Sequence, residues 1–189
     1  RNGVDFEAFT PREAPKDTDL LFVGNMAYPP NVLAAETLVT EVLPRVRAAR
    51  PARVVIAGTS PVARVRRLAG DGVEVTGRVA DIAAFYARSR VFVAPLTVAT
   101  GLQNKLLQAL AMGIPCVTST SARDALGATE REVRSGKDAE EIAAVALELL
   151  RDPEAAAELA RRGREFALRD YRWPTAAADL ERLVCAEAG

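Results

Sequence analysis

A lysine in the first turn of a helix is an uncomfortable placement. The free N–H groups and the positive end of the helix dipole both disfavour a cation there. Thr100-Gly101-Leu102-Gln103-Asn104-Lys105 produces that placement, because helical spacing runs from Leu102 to Met112 and Gly113 stops it. A bound phosphate resolves the conflict, held between the N–H groups of the helix start and the Lys105 ammonium. Gly101 gives such a ligand a close approach to the backbone. The chain has 22 arginines and three lysines, so an ammonium at this position reads as a choice. The plain alternative is a solvated lysine on an ordinary helix. Gln108, three residues on, shares the Lys105 face, while Leu106, Leu107, Leu110 and Ala111 form the core stripe. Its amide can bond sugar hydroxyls, or it is a surface glutamine.

Other residues offer less. Gly24-Asn25 follows an apolar run and fits either a ligand-facing strand exit or any tight one. Arg78-Val79 follows Gly77, and Arg78 could face a phosphate or a base. Asp17-Thr18-Asp19 has the spacing of a metal-binding pair but precedes a strand, at the wrong end of a sheet for ligands, and reads as linker. Cys116 sits in a buried run and reads as inert core. Trp173 before Pro174 reads as a packing anchor, and Arg161-Arg162-Gly163-Arg164-Glu165 as a solvated helix face. There is no histidine, which excludes Ser-His-Asp and Cys-His pairs and most zinc sites. No metal site is expected. Neither GxGxxG nor GxxxxGK[ST] occurs, which argues against a dinucleotide dehydrogenase and a P-loop.

Short apolar runs ending in Gly or Pro alternate with helical spacings. The runs are Leu20–Val23, Val54–Ala57, Val73–Thr76, Val91–Ala94 and Cys116–Thr118, with a weak sixth near Glu132-Val133-Arg134. Helices are predicted over 31–49, 61–69, 81–88 with Asp81 as N-cap, 102–112, 139–150, from Asp152-Pro153 to about 169, and 173–186. This is an α/β, Rossmann-like, doubly wound parallel sheet of order 3-2-1-4-5-6, with helices on both faces and a helical C-terminal extension. Residues 1–19 read as a leading linker, 20–170 as the domain and 171–189 as a final helix. In that order the sheet switches direction between its first and fourth strands. The ligand is therefore expected at the loops Gly24–Pro30 and Pro95–Gln103.

The bulk numbers agree. With 25 basic and 25 acidic residues, net charge is zero, and no nucleic-acid partner is expected. Two distant cysteines suggest a reducing compartment. No apolar run reaches the ~20 residues of a membrane helix. A chain that starts at Arg1 is expected to be a piece of a longer one.

These motifs resemble the C-terminal half of GT-B glycosyltransferases of the retaining, glycogen-synthase-like group 1 type. Asn2-Gly3-Val4-Asp5 with Phe9 and Pro11 is similar to the segment that opens that domain. Phe22-Val23-Gly24-Asn25-Met26 with Tyr28-Pro29-Pro30-Asn31 resembles its first strand and loop. Val75-Thr76-Gly77-Arg78-Val79 with Asp81, and Val93-Ala94-Pro95-Leu96, match later landmarks. Gly101 through Val117 resembles the donor-binding helix and the strand after it, and Tyr171-Arg172-Trp173 the start of a helix that crosses back to the N-terminal domain. The resemblance covers nearly the whole chain, and the nearest branch is the bacterial exopolysaccharide-locus sugar transferases.

The resemblance implies a nucleotide-diphosphate sugar, UDP- or GDP-linked, as donor substrate and no other cofactor. It implies transfer to a polysaccharide or lipid-linked glycan in the cytoplasm or at the inner face of the bacterial inner membrane. The missing N-terminal domain would bind the acceptor, so this piece alone would bind nucleotide without turnover. The implied donor-binding residues are Gly24, Asn25, Arg78, Val79, Thr100, Gly101, Leu102, Gln103, Lys105 and Gln108. Lys105 carries the catalytic role of stabilising the leaving diphosphate. The chain also departs from the family. Thr100 and Gln108 stand where the family has two glutamates, and the loop Asn25-Met26-Ala27-Tyr28 lacks the family's cations. A degenerate, non-catalytic nucleotide-binding or scaffold module is the alternative reading.

Overall fold

The computed structural model describes residues 3–96 and 104–172. Six parallel strands form one sheet: β1 (Thr18–Val23), β2 (Val54–Ala57), β3 (Val73–Gly77), β4 (Ser89–Ala94), β5 (Cys116–Ser119) and β6 (Arg134–Gly136). Their order is β3-β2-β1-β4-β5-β6, the doubly wound arrangement expected. Leu20 pairs with Val54 on one side and Val91 on the other, so β1 and β4 are neighbours and the switch point lies between them. Phe22, Phe92, Leu20 and Leu21 are fully buried. Strands covered on both faces need such continuous apolar runs.

Right-handed crossovers put the helices that follow β1 and β2 on one face and those that follow β3, β4 and β5 on the other. The first helix runs as α1 (Pro29–Thr37), a π-helical stretch (Leu38–Val42) and α2 (Leu43–Arg47) rather than as one regular helix. Pro44 explains the interruption. It has no N–H to give the Thr40 carbonyl, and its ring needs room there, which a widened π turn supplies. The Leu43 N–H accordingly bonds the Leu38 carbonyl, five residues back. The remaining helices are α3 (Ala63–Arg66), α4 (Ile82–Ala87), α5 (Asn104–Ala111), α6 (Thr120–Leu126), α7 (Ala139–Arg151) and α8 (Pro153–Asp170). α7 packs on α2, and α8 on α5. Asp81, Ser119, Asp138 and Asp152 cap α4, α6, α7 and α8 with their side chains, each worth about 1 kcal/mol.

Several expectations change. α6 fills a stretch that the sequence pattern left without an element. The helix expected over 61–69 is short, because Leu68 and Ala69 donate to carbonyls three residues back and the chain tightens into turns. The sixth strand sits two residues later than expected, because the N–H groups of Glu132 and Val133 are engaged by Thr129 in a turn. Residues 3–17 are bound to the domain. Val4 is buried and its N–H donates to the Tyr171 carbonyl, and the boundary at residue 19 falls inside β1. The helix expected over 173–186 lies outside the described residues.

Candidate functional site

Backbone bonds fix the carboxyl ends of β1, β2 and β3 together. The Gly24 N–H donates to the Ala57 carbonyl at 3.0 Å, Met26 to Thr59 at 2.8 Å, and Gly58 to Gly77 at 3.2 Å. Gly58 has φ +141°, and a Cβ there would lie 1.8 Å from the Gly24 oxygen, so no side chain fits. Arg78 follows directly from this staple. It is exposed and makes no ion pair among the described residues, and Val79 beside it is half-buried.

From the other side of the switch point, α5 presents Lys105 and Gln108. Leu106, Leu107, Ala109, Leu110 and Ala111 are buried, as the stripe predicted. Lys105 reaches back across the end of β1. Its Nζ donates to Oδ1 of Asn31 and lies 5.3 Å from the centroid of the Phe22 ring, a cation–π contact worth about 0.5–2 kcal/mol. Burial lowers its pKa from 10.5 to about 8, and no charged group among the described residues contributes to that shift. Desolvation disfavours the ammonium, and no carboxylate among the described residues restores it. Gln108 is half-buried. The buried Tyr86 hydroxyl donates to the Lys105 carbonyl at 3.1 Å and reaches Gln108 Oε1 at 3.3 Å. Burial pushes the Tyr86 hydroxyl well above its ordinary pKa. Gln108 is therefore tied into the fold rather than lying as a surface glutamine.

Asn31 joins the two sides, and the sequence reading missed it. It is 5% exposed and lies in the first turn of α1. Its Nδ2 donates to the Asn25 carbonyl at 2.9 Å. A Cβ on Gly24 would lie 2.8 Å from that same nitrogen. The bare face of Gly24 is thus used first by the protein itself, to seat the Asn31 amide. A poor helix former directly after Pro29-Pro30 was the available signal. Asn25 is exposed, with its Oδ1 accepting from the Ala27 N–H. Gly24, Asn25 and Lys105 are therefore brought together around Asn31, while Gln108 is held by Tyr86 and Arg78 and Val79 stand two strands away on the same edge. Thr100, Gly101, Leu102 and Gln103 lie outside the described residues.

A cavity of about 530 Å³ opens at the ends of β4 and β5, lined in part by Pro95, Leu96, Ser119, Ser121 and Lys137. Hydroxyls and an ammonium at such a place can bond a sugar or an anion. Pro95 and Leu96 belong to a loop where the sequence leads one to expect a ligand, whereas Ser119, Ser121 and Lys137 were not singled out. Elsewhere, burial pushes the Cys116 thiol up, and it donates to the Ile114 carbonyl, as inert core does. Asp17 and Asp19 pair with arginines at the opposite edge of the sheet. No cluster of metal-ligating side chains occurs among the described residues, nor does any described helix have the length and apolarity to cross a membrane.

The sequence profile of the family described as Glycosyl transferases group 1 matches residues 17–152. No curated protein matches in sequence. Among solved structures, sucrose-phosphate synthase from Thermosynechococcus elongatus superposes with TM-score 0.78 at 22% identity, over 98% of this chain and 51% of that one. HepE from Anabaena, solved in complex with UDP and glucose, gives 0.76 at 15% identity, over 97% and 55%. The C-terminal domain of LpcC, a group 1 family protein from Francisella tularensis, gives 0.70 at 16%, over 90% of this chain and 100% of that one. The chain thus spans about half the length of the first two and the whole of an isolated C-terminal domain.

Proposed function

We propose, from the premise that this chain belongs to the group 1 glycosyl transferases, that it is the donor-binding half of a retaining enzyme that takes a sugar from a nucleotide diphosphate. The observation that carries this reading is the Lys105 ammonium. It stands half-buried at the switch point, held by an amide and an aromatic face, with no carboxylate among the described residues to neutralise it. As the bond between the sugar C1 and the diphosphate breaks, negative charge builds on the leaving oxygen. A fixed cation in a partly dry site stabilises that charge without reorganising, so in this reading protein groups rather than a metal ion meet it. The acceptor hydroxyl attacks C1 from the face the diphosphate leaves, and its proton passes to a departing phosphate oxygen. Arg78 and Val79, aligned with Gly24 through the Gly58 staple, meet the ribose and base. Asn25, Thr100, Gly101, Leu102 and Gln103 complete the donor contacts, and Gln108 bonds a ribose hydroxyl. UDP is the first candidate, since HepE was solved with it. The acceptor, a polysaccharide or lipid-linked glycan, is bound by the half of the enzyme that this chain does not span.

Calorimetric titration with UDP, GDP and ADP, run beside Lys105→Ala, tests this. One nucleotide is expected to bind and to lose affinity in the variant. Binding that ignores Lys105 would sink the reading. One observation favours the alternative of a non-catalytic module: Gln108 shares the proton of a buried tyrosine and so serves the fold. Gln108→Glu separates the two. A large gain in nucleotide affinity marks a decayed site, and a loss marks a glutamine fitted to its ligand.

A further inference from the structure

Lys105 has a long, flexible side chain, and four-carbon stems lose rotamer freedom when they are fixed. Something must hold its ammonium at the end of β1. Asn31 is placed to do so. It is one of four buried polar residues among those described, and both ends of its amide are used. The orientation of that amide follows from its partners. The Asn25 carbonyl can only accept and the Lys105 ammonium can only donate, so nitrogen must face residue 25 and oxygen must face residue 105. Residues 31 and 105 come from α1 and α5, on opposite sides of the switch point, and Gly24 leaves the space that the Asn31 amide fills.

We infer that Asn31 is a positioning residue for the donor site: its neutral amide fixes the Lys105 ammonium over Phe22 with its charge intact, leaving the remaining N–H protons for an anionic ligand. This rests on the reading of Lys105 given above. The choice of amide has a physical reason. An aspartate would neutralise the ammonium and would set a second oxygen against the Asn25 carbonyl. A leucine of similar shape would leave a half-buried ammonium without its acceptor, at the cost of an unmet polar group. An amide alone among these accepts from the ammonium without bringing a counter-charge.

The test uses the 189-residue chain, whose three lysines, Lys16, Lys105 and Lys137, give few signals to follow. The side-chain ε signals are tracked by NMR through a pH titration, and UDP is titrated by calorimetry at neutral pH. The variants are Asn31→Asp, Asn31→Leu and Lys105→Ala. Asn31→Asp is expected to raise the Lys105 midpoint by about one unit or more, and Asn31→Leu to lower it, since one adds a counter-charge and the other removes an acceptor. Both are expected to weaken UDP binding by about five-fold or more. Asn31→Asp is nearly isosteric and keeps the inference testable if Asn31→Leu does not fold. If both Asn31 variants keep wild-type UDP affinity while Lys105→Ala loses it, or if the Lys105 midpoint does not move in either, the inference fails by itself. If Lys105→Ala binds UDP like wild type, or the wild-type chain shows no UDP binding at millimolar concentration, the donor-site reading fails and takes the inference with it.

Discussion

The two edges of the sheet handle their less exposed charges, Asp19 at one and Lys105 at the other, in different ways. At the amino edge, Asp19 lies 3.1 Å from Arg50 and 3.6 Å from Arg90 and accepts the Arg53 N–H at 2.8 Å. Asp17 takes Arg88 at 2.8 Å, and Lys16 donates to the Ala87 and Ser89 carbonyls. Arg50 also donates to the Leu150 carbonyl in the last turn of α7, where a cation suits the helix dipole. At the carboxyl edge the strand ends are tied by backbone, and the half-buried cation Lys105 is held by an amide and a ring. Opposite charges are spent on each other where the edge serves only the fold. Where we propose that an anion binds, the Lys105 charge has no counter-charge among the described residues, and burial lowers its pKa.

The sharpest way to break the contrast is Gly58→Ala. A Cβ 1.8 Å from the Gly24 oxygen, on a backbone at φ +141°, has nowhere to go. A loss of roughly 3 kcal/mol or more is expected in denaturant unfolding. Next comes Lys105→Ala, expected to weaken nucleotide binding by about 10- to 100-fold, as removal of a charged hydrogen bond does. Asp19→Ala is the counterpart at the other edge. It should cost about 1–2 kcal/mol of stability, since it strips partners from three donors, and leave UDP affinity unchanged. Any large effect of Asp19→Ala on binding would erase the division between the edges.

A smaller, signed effect follows from pH. Lys105 has a folded pKa of about 8, below its ordinary 10.5. Between those values the unfolded chain keeps a proton that the folded chain has lost, so this group makes stability rise with pH across that window. The cost of the buried ammonium is fully present below pH 8. Measured against Lys105→Met, wild type should gain about 2 kcal/mol from pH 7 to pH 10. Nucleotide affinity should move the other way and fall as pH rises through about 8, because the ligand needs the ammonium. Last and smallest, Arg78→Ala should weaken binding a few-fold, since an exposed cation is screened by solvent.

Local signals in the sequence were read with uneven success, for reasons that can be named. The caps at Asp81 and Asp152 were legible because each stands just before a helical run. The α6 helix was missed although Ser119 and Gly127 frame it, because Thr120–Leu126 carries too few apolar residues to show a period. The π-helical stretch was latent in Pro44, whose effect on a helix depends on what the packing around it allows. Lys105 could be singled out because it contradicts the dipole of its own helix, a conflict visible within a few residues.

Strand–helix alternation specifies a parallel α/β sheet, and right-handed crossovers then narrow its order to a few doubly wound ones, all of which place a ligand at the carboxyl ends of the strands. Those are properties of short segments and of chain chirality, and the sequence by itself determined them. The partner of Lys105 was decided by tertiary structure alone. Asn31 lies 74 residues away, and nothing in the spacing around either residue announces the other. Their meeting depends on α1 and α5 rising from adjacent strands and on the missing side chain of Gly24, which gives the Asn31 amide its place. Contacts of this kind exist only once the sheet has closed.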